Sequence, residues 1–279
     1  MSKVSVIMPC YNDGAYIEEA VASVYAQTYK DIELIIIDDG SDDKHTLEVL
    51  ERITNSNTKI IKTSRARPAG ARNAGIAQAT GKYILPLDSD DKIEKDYIEK
   101  AVKILEENQS VGVVYCYADL FGERSGRWDL PNYSLEKMLL DNVVFVTALF
   151  YKEDWEKVGG FHTDMYHGME DYDFWLGIIE LGREIYQIPE VLFHYRIKPT
   201  SRTTEFLTNV DVVKQTYQHI YKHHPVLFEK YRDKYAMILR DALIEQIFLC
   251  RSLQESITIL EKIKRIPILK TIIKKFVMK

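Results

Sequence analysis

Cysteine is scarce in this 279-residue chain, and the three present, Cys10, Cys116 and Cys250, lie far apart with no pair at CxxC spacing. A disulfide framework and a cysteine zinc site are therefore excluded, and a reducing compartment is expected. No apolar run approaches the roughly eighteen residues that a membrane-spanning helix needs. The opening residues MSKVSVIMPCYND lack the basic region, long apolar stretch and small-residue cleavage pattern of an export signal, so a cytoplasmic location is expected. There is no internal repeat and no low-complexity linker. Acidic residues are missing from one place only: the segment Lys262 to Lys279 carries +7, which leaves −12 for the rest of a chain whose net charge is −5. An acidic body offers no basic face to phosphates, and nucleic acid is excluded as a general partner.

What is present is ordinary globular composition, 46% hydrophobic and 28% charged. A chain this long buries about three quarters of its unfolded surface, so one sizeable core forms without staples. One large domain with an appendage, or two domains, is expected.

Short, nearly continuous apolar runs alternate with helical periodicity through the first hundred or so residues. Strands are expected at Val4 to Met8, Leu34 to Ile37, Lys59 to Lys62, Tyr83 to Leu87 and Val111 to Tyr117, each of the kind buried on both faces of a parallel sheet. Between them lie a helix capped by Asn12 or Asp13 with Ile17, Ala20, Val21 and Val24 on its core stripe, and one opened by Ser41 and Asp42 carrying Leu47, Leu50 and Ile53. A small-residue helix stopped by Gly81 and one with Ile98, Ala101, Val102 and Leu105 follow. Such a succession implies an α/β fold with a mostly parallel sheet flanked by helices. After Asp119 the pattern loosens: Val143 to Tyr151 reads as an added strand, Phe174, Ile178 and Leu181 mark a helix, and Val191 to Ile197 a returning strand. From about Phe206 the chain is helical.

Ligands of open α/β sheets bind beyond the carboxyl ends of the strands. There the sequence places Pro9, Cys10, Tyr11, Asn12 and Asp13, then Asp38, Asp39, Gly40, Ser41 and Asp42, then Asp88, Ser89, Asp90 and Asp91. Turns and caps account for Asp13 or Asp42 taken singly, but not for the whole set. Two carboxylates about 4 Å apart repel by roughly 4 kcal/mol at an effective dielectric near 20, a cost that a divalent cation removes. Hard oxygen donors suit Mg²⁺ or Mn²⁺ held jointly by a carboxylate and substrate phosphates. If the segment is extended, Asp88 and Asp90 share one side, placing Asp90 on the ion and Asp88 on a ribose. Arg65, Arg67, Arg72 and Asn73 approach from the preceding loop. Cations and carboxylates round one crevice suggest a metal-bound nucleotide diphosphate.

The motifs VSVIMPCYND, IIIDDGSDD, GARNAGIAQATGKYILPLDSDD and GMEDYDFW, in that order, resemble glycosyltransferase family 2, the inverting nucleotide-sugar enzymes with the GT-A fold. The resemblance runs from Val4 to about Arg196. It implies that Pro9, Tyr11 and Asp39 surround the base, with Asp39 hydrogen-bonded to it and Arg72 nearby, and that Asp88 meets the ribose and Asp90 the metal. It makes Asp171 the general base that takes the acceptor hydroxyl's proton. A helix start favours ionised Asp171, while Glu170 and Asp173 oppose it. His194 lies on the less apolar side of its strand with Leu192 and Arg196; the resemblance suggests a further metal ligand, and a structural histidine fits the pattern equally. Trp128, Tyr133, Trp155, His162 and His167 fit an acceptor cleft or ordinary packing.

The implied organisation is a GT-A catalytic domain over 1–205, with a nucleotide-sugar half of about 1–120 and an acceptor half of about 121–205, and a helical extension over 206–279. The implied reaction moves a sugar from a nucleotide-diphosphate donor, a UDP-sugar, to a hydroxyl of a polysaccharide or lipid-linked saccharide, with Mn²⁺ or Mg²⁺ as cofactor. A nucleotidyltransferase would need a Gly-rich, Arg/Lys-containing segment after the first strand, and PCYNDGAYIEE has none; a silent nucleotide-sugar-binding scaffold would not need complete acidic motifs. Leu269, Ile272, Ile273 and Phe276, flanked by Lys270, Lys274 and Lys275, form a basic amphipathic stripe suited to peripheral contact with anionic lipid.

Overall fold

The apolar runs become the central strands of one nine-stranded mixed sheet. In the computed structural model, which describes residues 2–199, 206 and 208–264, β1 (Val4–Cys10), β2 (Ile32–Asp38), β3 (Thr58–Lys62) and β4 (Tyr83–Pro86) lie parallel in the order β3-β2-β1-β4. Val6, Ile7, Met8, Ile35, Ile36 and Ile37 are wholly shielded. Burial on both faces explains why β1, β2 and β4 read as apolar runs; β3, at the edge of the sheet, departs from that expectation, with Lys59 and Lys62 exposed and no residue buried. The connecting helices are α1 (Ile17–Tyr25), α2 (Lys44–Arg52) and α3 (Arg67–Gln78), and α4 (Tyr97–Glu107) follows β4 with Ile98, Ala101, Val102 and Leu105 buried as expected.

Helix starts differ from expectation. Neither Asn12 nor Asp13 caps α1, whose N-cap position is Tyr16 with no side-chain bond; both side chains are committed elsewhere, as described below. The cap of α2 is Asp43, one residue past the expected Ser41–Asp42 pair, and it accepts from Thr46 N at 2.8 Å.

Beyond β4 the strand directions are mixed. The sheet continues through β8 (Leu149–Tyr151), β6 (Val111–Gly122), β9 (Glu184–Ile197) and β5 (Lys92–Ile93), with β7 (Gly126–Arg127) on β6. Strand β8 is antiparallel to both neighbours, whereas β6 and β9 are parallel. The parallel character inferred from the sequence thus belongs mainly to the first half. The added strand is also shorter than Val143 to Tyr151, because carbonyls ahead of it serve side chains: Trp175 Nε1 donates to Val144 O at 3.0 Å and the Tyr97 hydroxyl to Thr147 O at 2.8 Å.

Helices α5 (Leu135–Leu140), α6 (Lys152–Val158) and α7 (Glu170–Glu180) complete this half. In α7, Tyr172, Phe174, Trp175, Leu176 and Ile178 are buried, with Phe174 stacked 4.3 Å from Phe161. The chain divides into two compact units, Met1–Lys230 and Tyr231–Lys279. Helices α8 (Val210–His223) and α9 (Pro225–Lys230) therefore fold with the sheet. The second unit contains α10 (Arg232–Lys264), 33 residues or about 50 Å long, with Met237, Leu243, Phe248 and Leu253 exposed. No described helix is long and apolar enough to cross a membrane. The basic stripe from Leu269 to Phe276 lies outside the described residues.

Helix α3 presses on the sheet at Gly75, where a Cβ would stand 2.6 Å from Ile37 Cδ1 and 2.8 Å from Ile7 Cγ2. Overpacking by one methyl costs about 1–3 kcal/mol, against about 1 kcal/mol gained in helix propensity. Gly75→Ala is expected to lose about 1 kcal/mol net, read as a lower urea midpoint at unchanged slope; a midpoint that rises would show that α3 does not press on β1 and β2 here.

Candidate active site

The loops leaving β1, β2 and β4 converge because those strands are neighbours and parallel. After β2, Asp39 is buried: its Oδ1 accepts from Thr63 Oγ1 and Ala66 N, both at 2.6 Å, and its Oδ2 from Arg67 N at 2.8 Å. It thereby ties the start of α3 to β2. After β1, Pro9 is half-buried and Tyr11 exposed, with the Arg65 guanidinium 3.5 Å above the Tyr11 ring. Asn12, at φ 55°, uses its carboxamide to hold the 41–43 loop, accepting from Asp42 N and Asp43 N and donating to Asp42 Oδ1. Between them Cys10 is buried, which pushes its thiol up to about 12 and leaves it inert.

Asp88 to Asp91 form a turn closed by Asp91 N donating to Asp88 O at 3.1 Å, rather than the extended segment expected. Asp88 and Asp90 consequently have different partners. Asp90 Oδ2 lies 2.7 Å from Lys198 Nζ, and the same ammonium is 3.0 Å from Asp13 Oδ1. Asp13 in turn accepts from Ser89 Oγ at 2.9 Å. Arg196 donates its backbone N–H to Asp91 at 2.8 Å and its Nε to the Asp90 carbonyl at 2.7 Å, and it also pairs with Glu19. Burial first, and then Asp88, push the Asp90 carboxyl up; burial, Asp90 and Asp88 push Asp91 up further. Burial would lower the Lys198 ammonium, but Asp90 and Asp13 outweigh it and raise its pKa. Negative charge is therefore in excess at this turn, and a cation already stands where Asp13 and Asp90 meet. Hard oxygen donors with an ammonium as stand-in fit Mg²⁺ or Mn²⁺.

Arg72 joins this turn to α7. Its side chain is 2% exposed, with Nη2 at 2.7 Å from Asp88 Oδ1 and Nη1 at 2.8 Å from Glu170 Oε1. Burial would lower its pKa, but Asp88 and Glu170 outweigh that and hold it fully charged. The fork of one guanidinium thus bridges residues 88 and 170. Next to Glu170, half-buried Asp171 sits in the first turn of α7, its Oδ1 accepting from Tyr172 N at 2.8 Å. That turn is reached through Gly168 at φ 119° and Met169 at φ 66°. The arrangement puts the second motif against the first and presents a helix N-terminus beside them.

Of the residues picked from the sequence, Asp39, Arg72, Asp88, Asp90 and Asp171 are connected through the start of α3, Arg72 and α7, and Pro9 and Tyr11 stand at the end of β1, where Tyr11 meets Arg65 of the loop before α3. His194 is placed differently: its Nε2 is 2.9 Å from Glu94 Oε1, and its ring is edge-on to Phe121. Trp128 packs between Phe145 and Tyr195, and Trp155 donates to Asn73 Oδ1. Sequence reasoning missed Lys198 and Arg196. The alternation that left Arg196 beside His194 on one side of β9 was the available signal for Arg196; nothing local distinguished Lys198.

A mixed sheet with helices on it and acidic loops at the ends of β1, β2 and β4 is the GT-A fold of nucleotide-sugar transferases. It is shared with S. aureus TarS (1–349) in complex with UDP, at TM-score 0.63 and 21% identity over 81% of this chain and 65% of that one. It is shared also with the mannosyltransferase PcManGT from Pyrobaculum calidifontis in complex with GDP-Man and Mn²⁺, at TM-score 0.64 and 21% identity over 97% and 82%. Residues 5–168 match the family model described as glycosyl transferase family 2, and the chain belongs to that family. Its relatives include an uncharacterized glycosyltransferase of Haemophilus influenzae, 33% identical over 70% of this chain and 65% of that protein. Another is the putative teichuronic acid biosynthesis glycosyltransferase TuaG of Bacillus subtilis, 30% identical over 70% and 79%. The chondroitin synthase of Pasteurella multocida is 31% identical over 64% of this chain but 19% of its own length. The chain spans 51% and 65% of two H. influenzae relatives.

Removing one partner of a buried ion pair costs about 3–5 kcal/mol, because the remaining charge is left uncompensated. Arg72→Leu is expected to lose about that much, and Arg72→Leu with Glu170→Leu to recover part of it. Denaturant midpoints check this; a double variant less stable than the sum of the two single changes would contradict a paired role.

Proposed function

We propose that this chain is an inverting glycosyltransferase that moves a sugar from a nucleotide-diphosphate donor, a UDP-sugar, to a hydroxyl of a polysaccharide or lipid-linked saccharide. The observation that carries the proposal is the Arg72 bridge, which sets the Asp88–Asp91 turn against the first turn of α7. The relatives support the substrate class: one is named a chondroitin synthase, another a putative teichuronic acid glycosyltransferase, and a protein of the same fold was solved with UDP. Catalysis is assigned to residues 1–205, nucleotide-sugar half first and acceptor half from about 121, with 206–279 as an extension.

In this proposal Tyr11 and Pro9 flank the base, Asp39 hydrogen-bonds it, Arg72 stands close by, and Asp88 meets the ribose. Each constraint already has a structural origin: Asp39 is fixed by the 63–67 loop and Asp88 by Arg72. The Tyr11 ring carries the Arg65 guanidinium on one face. Asp90 would hold Mn²⁺ or Mg²⁺, and His194 would join it by exchanging Glu94 for the ion. Bound there, the metal supplies positive charge to the departing diphosphate. Asp171 takes the proton of the acceptor hydroxyl as that oxygen attacks the anomeric carbon from the side opposite the diphosphate. Asp171 stands on α7, which Glu170 and Arg72 join to the Asp88–Asp91 turn.

Two substitutions separate the roles. Asp90→Ala is expected to abolish metal-dependent UDP binding, measured by calorimetry with Mn²⁺. Asp171→Asn is expected to bind UDP as the unaltered chain does while transfer falls about 10²–10⁴-fold. Equal loss of binding and transfer in both variants would contradict the assignment.

A further inference from the structure

A second polar cluster lies outside the crevice, on the buried side of α7. Asp173 is 1% exposed and is surrounded by imidazoles from two other parts of the chain. His162 Nδ1, from the loop before α7, is 2.5 Å from Asp173 Oδ2; His223 Nδ1, from the end of α8, is 2.7 Å from Oδ1. The nearest donor atoms of His162, Asp173 and His223 all lie within 4.8 Å of one another. We propose that these three side chains form a divalent transition-metal site, with Zn²⁺ as the ion, that pins the first turns of α7 to α8 and to the 162 loop.

The surrounding groups match what such a site needs. A liganding imidazole usually gives its other ring nitrogen to a carboxylate, which fixes its orientation. His223 does so: its Nε2 is 3.3 Å from Asp164 Oδ2. The liganding carboxylate is flanked likewise, with buried His224 placing Nε2 3.3 Å from Asp173 Oδ1 and Nδ1 3.1 Å from Glu180 Oε2. Two imidazoles and a carboxylate suit Zn²⁺, and are softer than the oxygen donors at Asp90. Zinc bonds of about 2.1 Å separate neighbouring ligands by roughly 3.4 Å, so the His162 and His223 contacts need to open by less than about 1 Å. His162 is half-exposed, on the side where that movement meets least resistance. The cluster shares no residue with the crevice, and the proposal stands whether or not the chain transfers sugar.

Co²⁺ reports the site directly, since a low-coordinate N/O site absorbs visible light far more strongly than a six-coordinate oxygen site. The test uses the full chain after chelator treatment, in an Asp90→Ala background that removes the other metal position. One Co²⁺ per chain with strong visible absorption, displaced by one equivalent of Zn²⁺, is expected. His162→Gln, at a half-exposed position where folding is least at risk, is expected to remove the band. Asp164→Asn should weaken Zn²⁺ binding about 10–100-fold while keeping it. Absence of the strong band in a chain folded by circular dichroism, or a band that His162→Gln leaves unchanged, would overturn the proposal.

Discussion

A guanidinium shut off from water and shared by two carboxylates, one from the turn after β4 and one from the start of α7, is the constraint on which the rest of the crevice depends. Arg72 is brought there by α3, and α3 can lie close enough to β1 and β2 only because Gly75 presents no side chain to Ile7 and Ile37. The start of the same helix is held by Asp39 through Ala66 N and Arg67 N. One helix therefore fixes three things at once: the loop after β2, Asp88 and the turn that presents Asp171. A buried pair of this kind adds little net stability over an apolar replacement, so its value here lies in position.

The second organising feature is unbalanced charge. Asp13, Asp88, Asp90 and Asp91 crowd one turn, and burial together with mutual repulsion raises Asp90 and Asp91. The chain answers with cations from distant parts of the sequence: Arg72 from α3, and Arg196 and Lys198 from the end of β9 and just beyond. The Lys198 ammonium marks where positive charge is required, between Asp13 and Asp90. A divalent cation bridging to a diphosphate would meet the same electrostatic demand, which links the local charge balance to the proposed donor.

Much of this was legible in the sequence because it is periodic or positional. Strands buried on both faces announced themselves as β1, β2 and β4, whereas β3 is a half-exposed edge strand; the rule that ligands gather at strand carboxyl ends located Asp39, Asp88 and Asp90. What was not legible depends on long-range pairing. Asn12 and Asp13 look like caps for α1, yet Asn12 serves the 41–43 loop and Asp13 serves Ser89 and Lys198. The segment 143–148 has strand composition, but its carbonyls are claimed by Trp175 and Tyr97 from elsewhere. Asp88–Asp91 forms a turn, which a short acidic run does not reveal. Asp173 and its histidines come from residues 162, 173, 223 and 224, and no local spacing joins them.

The central claim is that the carboxylates around Asp90 and the loops carrying Asp39 and Tyr11 form one site for a metal-bound nucleotide diphosphate. Thermal unfolding of the purified chain with UDP alone, Mn²⁺ alone and both together tests it most directly, because ligands that share a site stabilise the fold jointly. We expect the shift with both to exceed the sum of the separate shifts. A combined shift equal to that sum would mean independent sites and would contradict the claim.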